Sequence, residues 1–146
     1  MSRVDNWIDI LAPREKVFAY VSNVEAQPEW VKWAKEVEVT SEGKDGVGTV
    51  DSMLMQVGPR KERVEALVTE YRPPQLMTRR FLKGMRMEER FSLVPLRDGT
   101  KVAWSVEYDP PMGPLGKAVD FLFMGRLMDQ LMKDSLANLK ERLEGR

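Results

Sequence analysis

Two hydrophobic periods divide this chain. From Lys35 to Tyr108 apolar residues alternate with polar ones at the two-residue spacing of strands, and after Ala118 they recur at helical spacing. The clearest alternation places Val102, Trp104, Val106 and Tyr108 on one face of a strand over 101–108. Earlier runs predict strands around Val37 and Val39, then over 47–57, 62–71, 76–82 and 85–94. Polar or glycine- and proline-containing turns separate them, at Gly43 to Gly46, Gly58-Pro59, Pro73-Pro74, Lys83-Gly84 and Asp98-Gly99. Before them, Val4, Trp7, Ile8 and Ile10 alternate in part and predict a first strand over 4–11. Pro13 suits the first turn of a helix that carries Val17, Phe18, Tyr20 and Val21 and ends at Ser22-Asn23. A second short helix is expected from Val24 or Pro28 through Trp33.

Consecutive strands joined by short turns must pair antiparallel, and an antiparallel sheet that buries one face needs a cover. Only the last element is long enough to supply it. After the break Asp109-Pro110-Pro111-Met112-Gly113-Pro114, about thirty residues read as one helix. The expected fold is therefore α+β: a curved antiparallel sheet of six to seven strands wrapped around a long C-terminal helix, with two short helices after the first strand. A single domain over 1–146 is the expectation for a chain of this length.

The terminal helix has two halves. Between Ala118 and Met128, only Asp120, Gly125 and Arg126 interrupt Val119, Phe121, Leu122, Phe123, Met124 and Leu127. This half is apolar nearly all round. From Met128 onward the apolar positions narrow to one stripe through Leu131, Met132, Ser135, Leu136, Leu139 and Leu143. The first half thus has a second apolar surface, which could line a cavity, meet another subunit or rest on a membrane.

Composition removes whole classes of chemistry. The chain has no cysteine and no histidine, which excludes thiol nucleophiles, disulfides, imidazole bases and the usual zinc sites. Acidic residues are scattered without metal-ligand spacing, and Gly46-Val47-Gly48 leads into a strand instead of a phosphate-binding helix. No metal and no cofactor are expected. Formal net charge is zero, with 23 basic and 23 acidic residues, so nucleic acid is not an expected partner. Arg79, Arg80, Lys83 and Arg86 form one local basic group, readable as an anion-binding patch or as a solvated hairpin. The start of the chain lacks a basic run leading into an apolar core, and no stretch reaches the eighteen apolar residues of a membrane span. A cytoplasmic location without stable membrane insertion is the expectation.

Strand parity selects the candidate polar groups. If Met87, Phe91 and Leu93 point inward, Glu89 does too; Asp51 accompanies Met53 and Met55, and Arg79 accompanies Met77 and Phe81. A carboxylate in an apolar pocket has its pKa raised and can act as acid, base or hydrogen-bond donor. A Glu89 to Arg79 pair orienting a substrate is one reading. The other places these charges at strand ends or bulges facing water, where most such residues are found. Tyr108 is a candidate hydroxyl donor or a core tyrosine with a backbone partner.

The order of elements and the residues at their joints resemble the START-related, birch-pollen-allergen-like helix-grip superfamily, the SRPBCC or polyketide cyclase/dehydrase and lipid-transport group. The matching residues are Ala12 to Phe18, Pro28-Glu29-Trp30, Gly46-Val47-Gly48-Thr49, Tyr71-Arg72-Pro73-Pro74, Phe91 to Pro95 and Gly99 to Val102. They span nearly the whole chain. The resemblance implies a cavity between the concave face and the C-terminal helix, opening near the short helices and the loop before the last helix, with Trp30 and Trp33 at its entrance. A strongly curved sheet leaves volume that one helix cannot fill. Methionines at Met53, Met55, Met77, Met87, Met124, Met128 and Met132 suit such a space, or else fill an irregular core. The expected lining includes Trp30, Phe91, Trp104, Tyr108 and Phe121 with these methionines.

Three functions compete. The first is a carrier or binding protein for a small hydrophobic or amphipathic molecule such as a lipid, isoprenoid, quinone or polyketide-like compound. The second is a cyclase- or dehydratase-like enzyme using Glu89, Asp51, Arg79 or Tyr108. The third is a homodimer or partner module that uses Val119 to Met128 and the Pro110 to Pro114 loop as its interface.

Overall fold

The chain runs β1 (Ser2–Ile10), α1 (Arg14–Val21), a 3-10 helix (Val24–Glu29), β2 (Ala34–Val39), β3 (Val50–Val57), β4 (Arg60–Arg72), β5 (Leu76–Lys83), β6 (Met87–Leu96), β7 (Gly99–Tyr108) and α2 (Ala118–Glu144). The computed structural model describes residues 2–109 and 118–145, the side chains of 118–121 apart. All seven strands form one antiparallel, curved open sheet in the order β1-β7-β6-β5-β4-β3-β2. The first two strands stand at opposite edges, so α1 and the 3-10 helix carry the chain from one edge to the other. Every later strand follows its predecessor through a hairpin, as the short turns require.

Alternation decides what lies inside. On β3 Asp51, Met53, Met55 and Val57 are buried; on β4 Val64, Ala66 and Val68; on β7 Val102, Trp104, Val106 and Tyr108. These residues join α1, the segment after the 3-10 helix and α2 in one hydrophobic core. Trp30, Trp33 and Phe91 surround the Trp104 ring at centroid distances of 5.6, 5.2 and 5.1 Å.

The second half of α2 is held by its buried stripe, Met128, Met132, Ser135, Leu136, Leu139 and Leu143, and by polar links. Asn6 Nδ2 donates to Asp129 at 2.9 Å, and the Lys32 backbone N–H donates to Ser135 Oγ at 2.8 Å. Asn138 Nδ2 donates to the Trp30 carbonyl, Lys140 Nζ to the Asp9 carbonyl, and the Leu11 N–H to Glu144. Ahead of Met128 the helix is less enclosed: Leu122 and Phe123 are exposed.

Two expectations need correction. The second short helix stops at Glu29 and does not reach Trp33, because Trp30 leaves the helical region with φ −137° and ψ −30° and the segment after it already leads into the sheet, the Trp33 carbonyl accepting the Gln56 N–H of β3 at 2.9 Å. Strand β3 begins at Val50 and not at 47. Gly46 and Gly48 take φ of +83° and +94°, and Thr49 Oγ1 closes the turn on the Gly46 carbonyl at 2.7 Å. The partial alternation of β1 comes from Trp7, which is out of step with Val4, Ile8 and Ile10 and is exposed on the outer face, with Lys101 Nζ 4.7 Å from its ring centroid.

Candidate functional site

A charged cluster lies within the apolar interior. Arg79 on β5 is 0 % exposed, as is Asp51 on β3, and Glu89 on β6 is 2 % exposed. The ladder places Arg79 directly opposite Glu89, and Arg79 Nη1 donates to Glu89 Oε2. Arg79 Nη2 forks onto both Asp51 oxygens at 2.8 and 2.9 Å. Gln27 of the 3-10 helix accepts from Arg79 Nη1 at 3.3 Å, and Trp104 Nε1 donates to Glu89 Oε1 at 3.1 Å.

Isolated buried charges are prohibitively costly, and this cation is matched by two carboxylates. Burial pushes the Glu89 carboxyl above its ordinary range, more strongly than Arg79 and the Trp104 indole pull it down. Burial alone would lower Arg79, but Glu89 and Asp51 outweigh it and keep the guanidinium charged. The cluster therefore joins a permanent cation to a carboxyl that holds its proton into less acidic conditions than usual. Three N–H groups, Arg79 Nε, Nε2 of its partner Gln27 and Nε1 of Trp30, whose ring packs against Trp104, are buried and have no acceptor among the described residues.

A pocket of about 460 Å³ opens beside the first half of α2, where Ser2, Val4, Tyr108, Leu122, Gly125 and Arg126 contribute to its wall. Tyr108 belongs both to this wall and to the core. Its hydroxyl lies beneath Gly125, where an added Cβ would stand 3.7 Å from the oxygen. Burial raises the Tyr108 phenol above its ordinary pKa, so it stays protonated at neutral pH.

A profile of one family, described as polyketide cyclase / dehydrase and lipid transport, matches residues 1–144. The chain belongs to this family. Solved structures similar to this member of the polyketide cyclase/dehydrase and lipid transport family share its helix-grip fold at low identity. TTHA0849 from Thermus thermophilus is 21 % identical with a TM-score of 0.84, over 99 % of this chain and 98 % of that one. A START superfamily protein from Mycobacterium smegmatis is 19 % identical with a TM-score of 0.76, over 98 % and 97 %. The Aha1 dimer from Colwellia psychrerythraea is 19 % identical with a TM-score of 0.71, over 99 % and 97 %. No curated protein matches the chain closely enough for comparison by sequence.

Within this family member the parity argument brings the polar candidates together: Asp51, Arg79 and Glu89 form one cluster and do not lie at strand ends. The surface basic group loses Arg79 to the interior, while Lys83 pairs with Glu65 and Arg86 with Asp109. Among the expected lining residues, Trp30, Met53, Met55, Met87, Phe91, Trp104, Tyr108, Met128 and Met132 are fully or almost fully buried, and Met124 packs against them part-exposed. The Phe121 side chain and the Pro110 to Pro114 loop lie outside the described residues. Gln27 is a cluster member that the sequence did not single out, since it sits in a 3-10 turn where no periodicity marks an inward face. Ser135 did carry a signal, being the polar position in an apolar helical stripe. Among the described residues no helix is long and apolar enough to cross a membrane.

Proposed function

We propose that the protein binds a small hydrophobic or amphipathic molecule, of the lipid, isoprenoid, quinone or polyketide-like kind, between the concave face of the sheet and α2. The observation that carries this reading is the polar cluster of Asp51, Arg79 and Glu89, set among methionine and aromatic side chains, with buried N–H groups on Arg79, Gln27 and Trp30 that have no acceptor among the described residues. A core that served stability alone would do as well with apolar residues of similar volume. Ligand affinity would come chiefly from burial of apolar surface, about 25 cal/mol per Å², with the polar groups fixing orientation. Methionines at Met53, Met55, Met87, Met128 and Met132 can rearrange around a guest because their side chains are unbranched and flexible. The pocket at Tyr108 and Leu122 supports a route inward past the first half of α2.

A second reading, a cyclase- or dehydratase-like enzyme, draws on one observation: the raised Glu89 carboxyl is held by Arg79 and Trp104 in a fixed orientation. Such a group can deliver or take a proton at a carbonyl-bearing substrate.

Native mass spectrometry of the protein purified from a host cell, followed by denaturing extraction, tests the first reading. A stoichiometric apolar molecule released on denaturation is the expected result. Protein that is empty, and that also takes up no member of an apolar ligand panel, would overturn it.

A further inference from the structure

The unpaired polar atoms of the cluster are all of one kind. Gln27 Nε2, Trp30 Nε1 and Arg79 Nε are N–H donors, and their residues are at most 1 % exposed. The acceptors around them are already engaged: Gln27 Oε1 and Glu89 Oε2 by Arg79 Nη1, Glu89 Oε1 by Trp104, and both Asp51 oxygens by Arg79 Nη2. Buried donors without acceptors are rare in folded proteins, and three of them, on Arg79, on its partner Gln27 and on Trp30, which packs against Trp104, leave a one-sided demand for acceptor oxygen. The charge balance restricts which oxygen can meet that demand. Arg79 already faces two carboxylates, so an anionic group would add a third acid to a site with one cation.

We infer that the interior selects molecules bearing an uncharged oxygen acceptor, such as a ketone, quinone or lactone carbonyl, over carboxylates and phosphates with the same apolar body. The inference rests on the binding reading above and names the ligand class for that site. The carbonyl oxygen takes the Gln27 amide and Trp30 indole N–H groups, and the apolar body displaces the methionines. Because Gln27 and Trp30 belong to the segment between α1 and β2, while Arg79 belongs to β5, the donors hold the carbonyl where the short helices meet the sheet.

Three naphthalenes of nearly equal size separate the terms: 2-acetylnaphthalene carries a neutral carbonyl, 2-ethylnaphthalene no acceptor, and 2-naphthoate an anion. Their affinities for the wild-type chain are measured by equilibrium dialysis at pH 7. The expected order is acetyl first, about tenfold tighter than ethyl, the worth of one or two net hydrogen bonds, with naphthoate at least tenfold weaker than acetyl. In Gln27→Leu and Trp30→Phe the acetyl-to-ethyl ratio falls toward one, and a cooperative urea transition like that of the wild type shows that each variant is folded. Equal binding of acetyl and ethyl by the wild type, or tighter binding of naphthoate, overturns the ligand class and leaves the binding reading standing. Failure of all three to bind overturns both.

Discussion

Arg79 and Asp51 are joined across an intervening strand. They sit on β5 and β3, and the guanidinium reaches the carboxylate past β4, where Val68 lies opposite Arg79 and Ala66 lies opposite Asp51. With Glu89 on β6 the cluster ties three strands, β3, β5 and β6, through one side chain that crosses β4. Removing that side chain strands two acids in the core. Arg79→Met is expected to cost about 3–5 kcal/mol, the range for breaking a buried ion pair from one side. Replacing Asp51, Arg79 and Glu89 together by Leu, Met and Leu should recover most of the loss. Urea denaturation of both proteins checks this, and a triple variant less stable than Arg79→Met would refute it.

The passage across β4 depends on a small residue. Ala66 is fully buried, and its methyl leaves the inner face of β4 low enough for a long side chain to cross. Ala66→Leu should therefore cost more than the roughly 1–3 kcal/mol of ordinary overpacking, because it also displaces the guanidinium from Asp51. The excess is expected to vanish when Ala66→Leu is made in the triple apolar variant. A double-mutant cycle on chemical denaturation measures that coupling.

Glu89 makes stability depend on pH with a definite sign. Its folded pKa lies above its ordinary value of 4.5. Between the two, the folded chain keeps a proton that the unfolded chain has lost. This contribution is complete below the ordinary value and disappears as pH rises through the folded one. Within that window stability should fall with rising pH by at most about 1.4 kcal/mol per unit from this group. Glu89→Gln removes the proton and should flatten the slope in the window, at a pH-independent cost from one lost hydrogen bond. Urea midpoints of both proteins from pH 4 to 9 check it; parallel curves would exclude Glu89 as the source.

How far the site was legible in the sequence follows from periodicity. The strands are regular enough that inward methionines and aromatics fixed the side of the sheet on which Asp51, Arg79 and Glu89 lie, and Val102 to Tyr108 likewise. A Glu89 to Arg79 pair was among the readings of the sequence, but periodicity is silent about reach across strands, so it could not show that Arg79 also extends past β4 to Asp51. It grouped Arg79 with Arg80, Lys83 and Arg86 because proximity in the chain mimics a surface patch; alternation along β5 separates them. In the short 3-10 turn at Gln27 and in the irregular segment at Trp30 and Trp33, no sustained period exists and only tertiary contacts reveal the inward direction. The division of α2 at Met128 was visible because a one-sided stripe reads differently from an all-round apolar segment.

Ser135 is a polar residue in the core stripe for a specific reason. Its hydroxyl accepts the Lys32 N–H at 2.8 Å and donates to the Leu131 carbonyl one turn earlier at 2.6 Å. Ser135→Ala leaves the Lys32 N–H without that acceptor, a loss of about 1–3 kcal/mol. Ser135→Thr keeps the acceptor but adds a methyl to a packed site, so it should retain the Lys32 amide's protection while losing some stability. Amide exchange at Lys32 distinguishes the two: fast in Ser135→Ala, slow in Ser135→Thr.

The two halves of α2 should open independently. Every side chain of the helix that is buried among the described residues, and every polar link drawn above from it to β1 and the segment after the 3-10 helix, lies at Met128 or beyond. Leu122 and Phe123, 61 and 65 % exposed, contribute little burial before that point. Native-state hydrogen exchange is therefore expected to break near Met128. Amides of residues 132–143 should exchange only through openings close to the global stability, and those of 122–127 through openings several kcal/mol cheaper. Addition of an apolar ligand that enters beside Tyr108 should slow exchange in 122–127 by contributing the burial that half lacks, and leave 132–143 nearly unchanged. Uniform protection along the whole helix without ligand would show that the first half is held as firmly as the second.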